Sequence, residues 1–278
     1  MVARRTVLGL IGASAAAAGC VEQLFFHPDD RVYTRPAELG VDAQAMRFAT
    51  EGGAMLSAWW LPARGVASGT GVPAHGNVAG IVNALPLVAW LPAAGLDVLT
   101  FDYRGFGRSE GRPTLDGVVA DTRAAFAAAR ARSPRPLIGL GQSLGGATML
   151  RAIAAEHAQG ARDIRLAVID AAFDSYRGIA RHAAAWTPLA LVAPLAATAL
   201  PPTERDPIVA AASLGVPLLL LHGDADTVIP VEASERLHAA AAPPKVLLRI
   251  RGGGHLDALR RADVREHVRT AIDNALAA

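Results

Sequence analysis

The stretch Gly139-Leu-Gly-Gln-Ser-Leu-Gly-Gly-Ala147, GLGQSLGGA, crowds four glycines around one serine, directly after the apolar run Pro136-Leu-Ile-Gly139. The chain otherwise favours alanine and leucine, so the missing side chains call for a steric reason. A strand that ends in Gly141-Gln-Ser143-Leu-Gly145 and turns at once into a helix near Gly146 supplies one. The serine at the tip must adopt a strained backbone, and a side chain two residues before or after it would collide with the neighbouring strand or helix. The turn leaves the Ser143 hydroxyl exposed and sets the Leu144 N–H at a helix N-terminus, where it can meet developing negative charge. The same glycines also admit a dinucleotide-binding loop, because Gly139-x-Gly141 follows a strand and opens a helix. That pattern wants a third glycine or alanine at position 144, which is leucine, and this weakens the cofactor reading.

Outward from this turn, apolar runs alternate with helical patterns, the signature of an α/β protein on a mostly parallel sheet. Candidate strands are Met46–Thr50, Met55–Leu61, Asp97–Phe101, Pro136–Gly141, Leu166–Ile169, Pro217–His222 and Val246–Ile250. Helical patterns lie near Asn83–Ala93, Leu115–Arg132, Gly146–Glu156, Val231–Ala241 and Ala258–Ala275. Runs such as VPLLLLHG do not alternate, so both faces of the sheet should be covered by helices. A serine hydroxyl is a poor nucleophile without a base to take its proton, and this architecture places the acid and then the histidine downstream. Asp224 and Asp226 follow the strand in LLLLHGDADTVIP, and His255 follows the last strand in LLRIRGGGHLD. Both positions lie beyond the carboxyl ends of strands, where ligands and catalytic groups collect in such sheets.

Taken together, AHGN, FDYRGFGRSEGRP, GQSLGGA, DSYRGIAR, HGDADTVIP and GGGHLD resemble the α/β-hydrolase superfamily over nearly everything after Cys20. The chain looks most like the small-cap serine hydrolases labelled lysophospholipase or serine aminopeptidase-like, a group that includes protein depalmitoylases. The resemblance implies an α/β-hydrolase fold with helices on both sheet faces and a small helical cap, here about residues 175–207. It implies Ser143 as nucleophile, His255 as base and Asp226, the later aspartate of its segment, as acid. It implies an oxyanion hole from the backbone N–H groups of Asn77 and Leu144, and a reaction that needs no cofactor or metal. By the same pattern His75 belongs to the oxyanion loop, His222 shapes the acid-bearing turn, and Asp102, Arg104 and Ser109 hold a loop. Asp257 is read as the start of the final helix, and His27, His157, His182, His238 and His267 as surface or packing residues. One departure stands out: the strand leading into HGN reads ASGTGVPAHGN, glycine-rich and carrying Pro73. Proline is poorly tolerated in a central strand, so a short, distorted strand or a differently set oxyanion loop is expected.

The 278 residues are 52% hydrophobic and 19% charged, which suits one domain with an ample core. Basic residues number 27 against 25 acidic, and all but Lys245 of them are arginines, scattered along the chain. That distribution carries no nucleic-acid footprint. A single cysteine excludes an internal disulfide, and no Cys/His cluster has zinc-ligand spacing.

Residues 1–20 read as a leader: basic MVARR, an apolar run from Thr6 to Ala18, then small residues up to Cys20. Cys20 falls where bacterial lipoprotein signals place their lipidated cysteine, and Arg4-Arg5 resembles a twin-arginine export signal. An ordinary signal with an incidental cysteine is the alternative. The lipoprotein reading implies export to the cell envelope and a membrane-held enzyme domain over residues 21–278. The uncharged run AAAWTPLALVAPLAATAL, 183–200, has the length of a membrane span, but Pro188 and Pro194 interrupt it and the strand pattern continues on both sides; a cap over the active-site end is the preferred reading. Its apolar character suits a hydrophobic acyl substrate, from a lipid or a small molecule. An ester or thioester hydrolase is therefore expected, with a serine peptidase and an inactive hydrolase-like binding protein as alternatives; the sequence leaves the oligomeric state open.

Overall fold

The computed structural model describes residues 25–28, 35–77, 80–184 and 200–278. The leader with Cys20, and the part of the cap run that holds Pro188 and Pro194, lie outside these residues. Among the described residues no helix is long and apolar enough to cross a membrane.

Eight strands form one sheet in the order β1-β2-β4-β3-β5-β6-β7-β8. They span β1 Gln44–Ala49, β2 Met55–Leu61, β3 Gly69–Ala74, β4 Leu96–Phe101, β5 Leu137–Gln142, β6 Ile164–Asp170, β7 Leu218–Gly223 and β8 Lys245–Ile250. The first two are antiparallel, and every pairing from β4 to β8 is parallel. The helices are α1 Ile81–Val88, α2 Leu115–Arg132, α3 Leu144–Ala158, α4 Tyr176–Ala184, α5 Pro207–Ala212, α6 Val231–Ala240 and α7 Ala262–Ala277.

The unbroken apolar strands are explained by two cores, one on each face. Leu218 and Leu220 join a cluster with α2, α3 and α5, whereas Leu219 and Leu221 join another with α1 and α7. Alternate residues of one strand thus enter opposite cores, each burial of a leucine side chain contributing about 2 kcal/mol.

The glycine-rich stretch does form a regular central strand, β3, buried throughout. Its register with β4 ends at Gly71↔Val98, two residues before Pro73, while pairing with β5 continues to Ala74↔Gly141. Proline therefore sits where only one side of the strand is laddered. The glycines permit close packing: a Cβ on Gly69 would stand 3.0 Å from Leu276, and one on Gly71 3.3 Å from Leu140.

Helix α5 and the last helix differ from the periodicity reading. Helix α5 was not legible, being only six residues long. The last helix is split, with a short 3-10 turn at Ala258–Arg260 preceding α7. Asp257 heads that turn and accepts the Gly254 N–H at 2.8 Å, so Arg261, not Asp257, stands at the start of α7.

Candidate active site

Ser143 occupies the turn between β5 and α3 with φ 55° and ψ −120°, a region in which a side-chain-bearing residue is strained. Its N–H donates to Asp170 O at 2.8 Å, anchoring the turn to the neighbouring strand. The four glycines are spacing devices. A Cβ on Gly141 would come within 2.6 Å of Gly145 O and Gly146 Cα, and one on Gly145 within 2.2 Å of Ala74 O. On Gly146 it would meet Ala172 at 2.8 Å, and on Gly139 the ends of Met149 and Ile153 at 2.8 Å.

The loop after β3 lies directly against this turn, since a Cβ on Gly76 would sit 3.7 Å from the Ser143 Cβ. His75 is 2% exposed, with Nδ1 2.8 Å from Gly76 O and Nε2 accepting the Tyr103 N–H at 3.2 Å. Burial lowers its pKa to about 4, which keeps it neutral, a packing pillar under the loop. Asp102 accepts the Ile81 N–H at 2.8 Å, Ser109 Oγ donates to Asp102 O at 2.7 Å, and Arg104 clamps Asp121 through its guanidinium and its N–H. The FDYRGFGRS segment is internal scaffolding.

After β7, Asp226 Oδ1 accepts the N–H groups of Val228 and Ile229 at 2.8 and 2.9 Å, and Oδ2 stands 2.7 Å from His255 Nδ1. Burial works against its charge, but the hydrogen bonds from His222, His255 and Ile229 win and hold it well below the usual carboxylate range. An ionised Asp226 fixes the tautomer of His255, with hydrogen on Nδ1 and a free Nε2. His222 is fully buried; its Nε2 faces Ile229 O at 2.9 Å and Asp226 Oδ2 at 3.3 Å, and its Nδ1 faces Ser234 Oγ at 2.7 Å. With two acceptors at Nε2, that atom carries the proton, and His222 braces the acid-bearing turn. Asp224 instead accepts the Gly252 N–H at 2.6 Å and ties the two loops together. In the GGG before His255, Gly252 takes φ 67° and a Cβ on Gly253 would lie 3.0 Å from Ile250, while the facing Gly223 leaves room for this turn, for a Cβ there would lie 2.1 Å from Gly253 O.

The structure joins His255 to Asp226 and sets Ser143 and the 75–77 loop side by side at the same carboxyl edge of the sheet. No hydrogen bond joins Ser143 Oγ to His255 among the described residues; such bonds commonly tighten only when substrate binds.

Two features escaped the sequence reading. His27, read there as a surface or packing residue, donates its backbone N–H to Asn77 O at 2.9 Å; a main-chain contact leaves no signature in residue type. Asp170, 1% exposed at the end of β6, has no partner for either carboxylate oxygen among the described residues, nor does Nε2 of its register partner Gln142. Burial pushes the Asp170 carboxyl up to about 7, with Asp226 and Asp257 adding to the rise and His222 opposing it. The folded chain thus keeps a proton that the unfolded chain gives up between about pH 4 and 7, so stability falls as pH rises through that window. Asp170→Asn should therefore raise the thermal midpoint at pH 8, by on the order of 4 kcal/mol in stability, and leave it unchanged at pH 4. Thermal melts across pH 4 to 8 check this; parallel curves for the two proteins would refute it.

A mostly parallel eight-stranded sheet, with a strained serine turn after its fifth strand and a histidine–aspartate pair after its last two, defines an α/β-hydrolase. The chain belongs to the family described as serine aminopeptidase, S33, whose model matches residues 68–209. It is 36% identical over 265 residues to the uncharacterized protein YfhR of Escherichia coli K12, covering 91% of this chain and 87% of that one. It is 28% identical over 181 residues to the lysophosphatidylserine lipase ABHD12 of Danio rerio, covering 62% and 47% respectively. In fold it matches the Pyrococcus furiosus esterase Pf2001 with a TM-score of 0.71, at 21% identity, over 90% of this chain and 98% of that one.

Proposed function

We propose that this hydrolase cleaves carboxylic ester or thioester bonds through an acyl-enzyme on Ser143. The observation that carries the reading is the 2.7 Å contact of His255 with an ionised Asp226, at the sheet edge that carries the elbow serine. In this mechanism Ser143 Oγ attacks the acyl carbonyl while His255 Nε2 takes its proton, and Asp226 stabilises the resulting imidazolium. The N–H groups of Leu144 and Asn77 receive the oxyanion. His255 then protonates the departing alcohol or thiol, and water, activated by the same imidazole, releases the acid.

A peptidase that trims N-termini needs a carboxylate free to bind the substrate's terminal amine. The cap's far edge offers two carboxylates, Glu204 and Asp206: Asp206 is 5% exposed and engaged by the Tyr176 N–H at 2.9 Å, which leaves the exposed Glu204 as the one candidate there. The engagement of Asp206 favours the ester reading. The protein should turn over p-nitrophenyl esters and be labelled by a fluorophosphonate; absence of both would leave a non-catalytic binding role.

A lipid acyl ester as substrate is supported by the uncharged cap run and by the similarity to a protein named as a lysophosphatidylserine lipase. It is supported also by reach. Phe25 is buried near the cap base, five residues after Cys20, and five residues span at most about 18 Å. A diacylated Cys20 would hold Phe25 and the cap base that close to a bilayer. Cys20→Ala should move the protein from the membrane to the soluble fraction on fractionation; retention in the membrane would reject the lipid anchor.

A further inference from the structure

We propose that Phe25–His27 is a positioning clamp for the 75–77 loop, so that the segment just after the leader is part of the reaction site's architecture. This rests on the reading of that loop as the oxyanion side of an ester hydrolase.

Three contacts make the clamp. The His27 N–H donates to Asn77 O at 2.9 Å, the one main-chain bond between this segment and the loop among the described residues. Phe26, 4% exposed, stands edge-on to Phe106 at 6.3 Å, and Phe106 in turn stands 5.0 Å from the ring of His75. Phe25, 8% exposed, is perpendicular to Tyr176 at 5.5 Å and 6.4 Å from Phe173, at the start of the cap helix α4. The two phenylalanines thus grip opposite sides: one the ring column beneath the loop, the other the base of the cap. The side chain of His27 is exposed, so its contribution is the backbone donor alone. Pro28 follows it and restricts His27 to extended backbone, the conformation a strand-like bridge requires.

The physical consequence follows from preorganisation. A donor aimed at an oxyanion is effective because it need not reorganise during the reaction. Asn77 closes the segment between the buried His75 and the start of α1, and Gly76 gives that segment freedom. Holding Asn77 O from outside restricts rotation of the residue whose N–H is to meet the oxyanion. Among the described residues, the loop's other supports, the Gly145 contact with Ala74 and His75 and the His75 ring, lie upstream of Asn77.

The test deletes the donor and leaves the chain otherwise intact. In the full-length protein, His27→Pro removes the N–H, and His27→Ala restores it without the imidazole. With a p-nitrophenyl ester, His27→Pro should lower kcat about tenfold with KM changed less than twofold, and raise amide hydrogen exchange in residues 74–77. His27→Ala should return both to the wild-type values. An unchanged kcat in His27→Pro, or an equal loss in His27→Ala, overturns the clamp. Should His27→Pro fail to fold, Phe26→Ala replaces it, with the same expected split between kcat and KM. A wild-type protein without esterase activity would overturn the ester reading instead. Hydrogen exchange then decides the clamp alone: faster exchange at 74–77 in His27→Pro upholds it, and unchanged exchange overturns it.

Discussion

Ser143→Ala should lower kcat for ester hydrolysis by about four to six orders of magnitude and abolish fluorophosphonate labelling, with KM little changed. Removing the nucleophile of a serine triad leaves only the contribution of the oxyanion hole and binding. The folded state should survive, because alanine inherits the φ of 55° and the same hydrogen bond from the backbone N–H to Asp170 O. A companion variant separates chemistry from strain. Ser143→Gly loses activity equally but relaxes a positive-φ residue whose strain costs about 1–3 kcal/mol, so its thermal midpoint should rise above that of Ser143→Ala. Labelling that persists in either variant would place the nucleophile elsewhere.

Gly145→Ala should be the most disruptive single methyl in the turn. Its Cβ would lie 2.2 Å from Ala74 O and 2.4 Å from His75 O, and both are backbone atoms of the strand and loop proposed to carry the oxyanion side. Neither can yield without separating the loop from the elbow, so a stability loss of about 3 kcal/mol or more is expected. The accompanying drop in kcat should be about 100-fold, the scale of losing one oxyanion donor. Gly139→Ala provides the internal comparison: its Cβ meets the ends of the Met149 and Ile153 side chains at 2.8 Å, which can shift. Its cost should be the smaller of the two by chemical denaturation, and near-equal losses would show that packing against β3 is not what glycine 145 provides.

Much of the fold was legible because its causes are local. The period of the apolar runs and the glycine spacing around Ser143 act over a few residues, and both recur in the structure as the two-sided sheet and the β5–α3 turn. The strand β3 was harder to read. Its proline and glycines look unfavourable alone, and become reasonable only beside the neighbours that approach them, Leu140 and Leu276. Helix α5 is too short to show a period, and the split of the final helix depends on Asp257 turning back to the Gly254 N–H.

The candidate site divides in the same way. Residue types and chain order singled out Ser143 and His255 and left Asp224 and Asp226 both as acids, because a nucleophile, a base and an acid each need a particular functional group; the choice of Asp226 came from the family resemblance. Sequence order could not say that Asp226 reaches His255 while Asp224 ties down Gly252, nor that His222 braces the acid's turn from beneath. Nor could it show that a backbone N–H at position 27 holds Asn77, or that the Asp170 carboxylate and Gln142 Nε2 are buried side by side without partners among the described residues. Those facts depend on which strands become neighbours and how closely their loops approach, and contacts between residues dozens of positions apart exist only once the sheet has closed.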